Sequence, residues 1–172
     1  MLAGSVITMQ DIFDQIRRAL QVNLYYIGLF SALAVPDICG ALEASDGAAT
    51  KARYTAWFDR HVAPKYSSGG RTTLTGEDAY YFRCSMLHQA RAQHPRSTYS
   101  RILFVEPSGL VFHNNVLNDA LNIDVRVFVN DIVEAAENWL AQAGGNQIVA
   151  DNLAASVRRH PNGLAPTFSG FR

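Results

Sequence analysis

Apolar residues recur at helical spacing along most of the chain. Ile12, Ile16, Ala19, Leu20, Asn23, Ile27 and Phe30 fall on one face, and Thr8-Met9-Gln10-Asp11 reads as the capping box of a long helix. Beyond Asn23 the polar face disappears, so the run Leu24 to Val35 is expected to be a core helix buried all round. Pro36 should end it and open a short second helix through Leu42. After the turn Ser45-Asp46-Gly47, a third helix is expected from about Ala48 to Val62, with Tyr54, Trp57, Phe58 and Val62 inward. Pro64 to Thr73 reads as a surface loop. Thr75-Gly76-Glu77-Asp78 is a second capping box, opening a helix that ends before Pro95.

The pattern then changes. Arg101 to Val105 is a short β-like run, Glu106-Pro107-Ser108-Gly109 a turn, and Leu110 to Phe112 the expected returning strand of a hairpin. Asn114 to Asn122 reads as a short amphipathic helix, with Asn114, Asn118 and Asn122 on one solvated face. Ile123 to Val129 alternates like a strand. A capped helix follows from Asn130 or Asp131 to Gln142, and a last helix runs to Arg159. These elements predict a mainly α fold: a bundle of five or six helices in one domain over residues 1–160. A β insertion is expected at about 100–129, and 161–172 is expected to be a tail.

Composition narrows the function classes. With 172 residues, 48% of them hydrophobic, the chain can bury a sizeable core. Formal net charge is zero, so any contact with nucleic acid requires a local basic patch. Cys39 and Cys84 are far apart in apolar helical surroundings and form neither a disulfide framework nor a zinc motif; a reducing cytoplasm is expected. No basic stretch precedes an apolar run at the N-terminus, and Leu24 to Val35 is too short to span a bilayer, so neither a signal peptide nor a membrane partner is expected. His88, His94, His113 and Asp124 lack close ligand spacing, and there is no glycine-rich phosphate loop; no metal and no cofactor are expected.

The most specific chemistry lies in Phe82-Arg83-Cys84-Ser85-Met86-Leu87-His88-Gln89. Arginine is always charged and grips two phosphate oxygens at once; histidine titrates near neutral pH and can take or give a proton. Together they supply what metal-free RNA cleavage needs: a proton acceptor for the attacking 2′-hydroxyl, a donor for the leaving 5′ oxygen, and a fixed cation for the crowded phosphorane. DNA has no 2′-hydroxyl and is excluded. The spacing alone is common. Its setting is less so: Ala79 through Val105 contains Arg83, Arg91, Arg96 and Arg101 with His88 and His94, and no acidic residue, as an RNA-binding surface requires. The competing reading is structural, with Arg83 in a surface salt bridge and His88 a hydrogen-bonded core residue.

This stretch resembles the Arg-x-x-x-x-His helix of the HEPN superfamily, and the order of helices, with long ones before the motif, is similar too. The likeness covers about residues 8–95 and the final helices. It implies a compact helical bundle acting as a metal-independent endoribonuclease on single-stranded RNA in bacterial defence or toxin–antitoxin systems. It also implies a homodimer in which two motif helices share a cleft, with a possible antitoxin or inhibitor as partner. Arg83 and His88 would be catalytic, Cys84 and Ser85 supporting, and Asp37 or Glu43 the acidic residue that orients the pair from another helix. Cys84 stands where the family usually has Asn, Asp or His. Some members of the family are non-catalytic, so the alternative is a helical interaction or nucleotide-binding module. Uncharacterised bacterial proteins carry a similar motif.

Overall fold

In the computed structural model, which describes residues 9–107 and 112–157, six helices and two small sheets enclose one contiguous apolar core. Helix α1 (Met9–Gln21) is amphipathic and buries Phe13, Ile16 and Leu20. The expected continuous helix to Phe30 is broken at Asn23, which adopts the left-handed conformation at φ 60°. Asn23 N–H donates to Leu20 and Leu24 N–H to Ala19, a Schellman turn that asparagine tolerates better than most residues. Thr8, the expected cap, lies outside the described residues.

Helix α2 (Tyr25–Leu42) is the hub, packing on α1, α3 (Lys51–His61), α4 (Gly76–Gln89) and α5 (Val125–Ala143). Pro36 does not end it. The ring sits buried inside α2, so the missing N–H costs one backbone bond without stopping the helix. Nor is the run buried all round: Leu24, Tyr26 and Ile27 are more than half exposed. By length and composition α2 is apolar enough to cross a membrane, with mean hydropathy 1.4, but half of it is packed inside the bundle, as in a core helix.

Thr50 caps α3, and Thr75 caps α4 by accepting from Asp78 N–H at 3.1 Å. Gly76 lets α4 start hard against α3: a Cβ there would lie 2.4 Å from the Thr55 carbonyl oxygen. Between these helices, a 3-10 turn (Ala63–Tyr66) leads into β1 (Ser67–Ser68) and β2 (Arg71–Thr72), joined through Gly69 and Gly70, both at positive φ. The expected surface loop is thus a minimal hairpin.

The three-stranded sheet differs most from expectation. Strand β3 (Arg101–Val105) pairs in parallel with β5 (Ala120–Asp124), and β5 pairs antiparallel with β4 (Asn115–Leu117). The described partner of β3 is thus β5; of the expected returning strand, Leu110 and Val111 lie outside the described residues, and Phe112 is in no strand. The expected helix Asn114–Asn122 is instead β4, a two-residue turn and the start of β5. Asn118 and Asp119 both take positive φ, 50° and 58°, the geometry of a tight hairpin turn. The expected strand Ile123–Val129 stops at Asp124, whose carboxylate accepts from Arg126 and Val127 N–H and starts α5 six residues before the expected cap. Helix α6 (Gln147–Ala154) ends earlier than expected; Arg158, Arg159 and the tail lie outside the described residues.

Candidate active site

Arg83 occupies the third turn of α4 and turns toward α2. Its Nη2 lies 2.7 Å from Asp37 Oδ2, and the two side chains are only 23% and 15% exposed. The contact is an ion pair without a well-aligned hydrogen bond, because Asp37 Oδ2 and Arg83 Nε each lack a hydrogen-bond partner among the described residues. Arg83 Nη1 approaches Cys84 Sγ at 3.9 Å. The Tyr54 ring, fully buried on α3, meets the Tyr80 ring edge-on at 5.4 Å.

These groups feel one another. Burial pushes the Asp37 carboxyl above the usual carboxylate value, and Arg83 only partly offsets it. Burial also opposes the charge on Arg83, but Asp37, then Cys84 and Tyr54, outweigh it and hold the guanidinium's pKa above its ordinary value. Complete burial, then the Asp37 charge, drives the Tyr54 hydroxyl well up, so it remains a donor. Burial and the neighbouring Cys84 thiol raise Tyr80. The result is a fixed, largely buried cation whose Nε–H is enclosed without a hydrogen-bond partner among the described residues.

His88 lies one turn further along α4 and is exposed, not a core residue. No hydrogen bond or ion pair joins it to Arg83 among the described residues. Ala90, left-handed at φ 51°, ends the helix, and the N–H groups of Ala90 and Arg91 turn back onto Met86 and Ser85 carbonyls. The motif's two members thus face different surroundings: Arg83 is paired with Asp37 and His88 is exposed to solvent.

Of the supporting candidates, Asp37 meets Arg83. Glu43 does not: it caps α2 and binds Arg60 at 3.1 Å and Trp139 Nε1 at 2.7 Å. Ser85 is 1% exposed on the core side of α4, away from the strip that carries Tyr80, Arg83 and Cys84. Arg91, Arg96 and Arg101 are exposed and take part in no ion pair among the described residues. Of the three, Arg91 lines an open groove of about 600 Å³ together with His94, Tyr99 and Asp119. The segment 90–100 is tied down: Thr98 N–H donates to Asp78 Oδ1 at 2.8 Å, Tyr99 OH to the Thr73 carbonyl at 2.7 Å, and the His94 ring stacks on Tyr81 at 4.4 Å.

Asn114 and Asn118 are turn residues at positive φ, and Asn122 bonds strand carbonyls, so they do not form one reading face. Among the described residues no three His, Cys, Asp or Glu side chains gather as metal ligands would. Tyr54 and Tyr80 were not legible as members of the site; the only signal was a tyrosine where a buried apolar position would accept phenylalanine. Compared with protein-family models, curated proteins and solved structures, the chain finds no match in any of the three.

Proposed function

We propose that this protein is a metal-independent endoribonuclease of HEPN type, cutting single-stranded RNA by attack of the 2′-hydroxyl on the adjacent phosphorus. The observation that carries this is the Asp37–Arg83 pair: an acid from a second helix fixes the motif arginine, on the same helix as an exposed histidine. Arg83 binds the scissile phosphate through the part of its side chain that remains exposed and balances the charge of the phosphorane. Asp37 holds the guanidinium in place before substrate arrives, so no reorganisation is needed at the moment of reaction. His88 moves a proton, taking it from the 2′-hydroxyl or giving it to the 5′ oxygen. Cys84 touches the guanidinium and tunes its position. Arg91, Arg96 and Arg101 guide the rest of the strand as phosphate contacts.

One histidine per chain performs one of two proton transfers, so the reading includes a homodimer, whose second copy supplies the other. Two thiols without a disulfide fit a cytoplasmic protein. A bacterial defence or toxin role, with an antitoxin or inhibitor as partner, follows from the resemblance of the motif. A second reading, a non-catalytic nucleotide-binding module, is favoured by one observation: Arg83 is already engaged by Asp37 and makes no contact with His88.

The test is cleavage of single-stranded RNA by the purified chain in excess EDTA, beside DNA of the same sequence. Arg83→Ala and His88→Ala should each lower cleavage by roughly a hundredfold or more with the fold intact. Cutting unaffected by both substitutions would place the activity elsewhere.

A further inference from the structure

The turn between α1 and α2 carries a cluster of uncovered apolar side chains. Val22, Leu24, Tyr26 and Ile27 are all more than half exposed, from 53% at Leu24 to 64% at Tyr26. They are presented together because Asn23, in the left-handed conformation, turns the chain from one helix into the next. Beside them an open groove of about 470 Å³ runs between α1 and α2, walled by Ile16, Ala19, Val22, Leu24 and Ile27, with Arg18 in its lining. Apolar residues scattered singly over a surface are ordinary; a group gathered at one corner marks a contact surface.

The charge around this corner has one sign. From Gln15 to Pro36 the sequence holds Arg17 and Arg18 and no aspartate or glutamate. Arg17 is paired with Glu137, but Arg18 is exposed and in no ion pair among the described residues. Arg126, in the first turn of α5, reaches the same corner. Its Nη2 donates to Asn23 Oδ1 at 3.0 Å and to the Tyr25 hydroxyl at 2.8 Å, and its guanidinium lies 5.4 Å from the Tyr25 ring centre. It too is exposed and pairs with no carboxylate side chain among the described residues. Asp14 precedes Arg18 by one turn of α1, and Glu106 lines a separate recess with Tyr26 and Phe104; neither lines the groove.

We infer that this corner docks on the surface of a bilayer that contains anionic phospholipid. Val22, Leu24 and Ile27 enter the acyl boundary, Tyr25 and Tyr26 sit at headgroup level, where a ring with a polar tip is favoured, and Arg18 and Arg126 face lipid phosphates. The combination of groups selects this occupant. An apolar protein surface would leave both arginines without an anion, and a nucleic-acid strand would leave the apolar side chains uncovered. A second copy docked by the same corner would gather cations without an acid. The chain's formal net charge is zero, so the attraction is local and acts within a Debye length of the membrane. Lying on a bilayer needs no spanning length, so the shortness of the Leu24–Val35 run does not oppose it.

The inference goes beyond the proposed function and does not rest on it. The experiment is flotation of the full chain with vesicles of phosphatidylcholine alone and of phosphatidylcholine mixed with phosphatidylglycerol, beside sedimentation equilibrium without lipid. Wild type should bind the mixed vesicles roughly tenfold or more tightly than the neutral ones, and added salt should weaken that binding. Ile27→Asp, with unchanged circular dichroism, should lower binding to mixed vesicles by roughly tenfold or more, because a charge replaces an inserted side chain. Arg18→Gln, a surface change that spares the fold, should lower it by roughly fivefold. Val116→Ser with Leu117→Ser, which removes an exposed apolar pair on β4, should leave it unchanged. A wild type that stays unbound with mixed vesicles, equal binding to neutral ones, or binding that survives both Ile27→Asp and Arg18→Gln would overturn the inference. So would a lipid-free dimer that Ile27→Asp splits, since that would give the corner to a second copy.

Discussion

Asp37 on α2 and Arg83 on α4 meet at 2.7 Å, 46 residues apart in sequence, and theirs is the only ion pair that involves α4's motif among the described residues. Removing one partner leaves a half-buried charge uncompensated. Asp37→Ala and Arg83→Met should each destabilise by about 1–3 kcal/mol, and the double substitution by clearly less than the sum. Denaturant titration of the four proteins measures the coupling; strict additivity would mean the pair is energetically idle.

The pair has a distinctive pH signature. Burial raises the Asp37 carboxyl in the folded state, so the folded chain holds this proton more tightly than the unfolded chain. The contribution of Asp37 to stability is therefore fully present below the ordinary carboxylate value of 3.8 and is lost as pH rises through the raised one. Protonation should thus release Arg83 without a loss of stability from this residue. Compared with wild type, Asp37→Asn should show a flatter dependence of stability on pH in the acid range, read from thermal melts.

His61 and His113 act in the opposite direction. Burial holds both below the ordinary histidine value of 6.5; Arg60 adds to this at His61, while Glu43 opposes it there and Asp131 and Asp124 oppose it at His113. The folded state resists their protonation, so their contribution is present above pH 6.5 and is lost as pH falls from there through their lowered values. Melting temperature should decline below pH 6.5, and His61→Gln with His113→Gln should reduce that decline.

Asp78 is a latch between the start of α4 and the basic segment. It is 2% exposed, accepts Thr98 N–H at 2.8 Å and the Thr75 hydroxyl at 2.8 Å. Asp78→Ala leaves the Thr98 N–H without its acceptor and should cost about 1–3 kcal/mol. Amide exchange at Thr98 and Tyr99 should quicken more than exchange in α2.

Gly76 sets the approach of α4 to α3. A Cβ would meet Thr55 backbone atoms at 2.4 and 2.8 Å, which cannot rotate away. Gly76→Ala should destabilise by about 1–3 kcal/mol through displaced helices, and chemical denaturation would reveal it.

Local chemistry was what the sequence made legible. The Thr75 box located the start of α4, and Asp37 was recognisable as a carboxylate that could reach the arginine. What depended on distant partners was not. Pro36 reads as a helix end, yet packing on the surrounding helices carries α2 through it. Asn114, Asn118 and Asn122 recur every four residues, which imitates a helix face. Two of them serve instead as left-handed turn residues, a role that the spacing conceals. The parallel pairing of β3 with β5 joins segments that no local turn connects. Glu43 and Asp37 look alike in sequence; only the position of Trp139 and Arg60 separates them. Tyr54 gave no sign that its hydroxyl belongs beside the charged pair.

The most direct measurement of the central claim is the chemistry of the cut ends. A single-stranded RNA incubated with the purified chain in EDTA should yield a 2′,3′-cyclic phosphate and a 5′-hydroxyl, resolved by mass spectrometry. A 2′-deoxy substitution at the cleaved position should abolish that cut, because the attacking hydroxyl is gone. Ends bearing a 5′-phosphate, cleavage that persists at the 2′-deoxy position, or identical products from the Arg83→Ala and His88→Ala proteins would contradict the account.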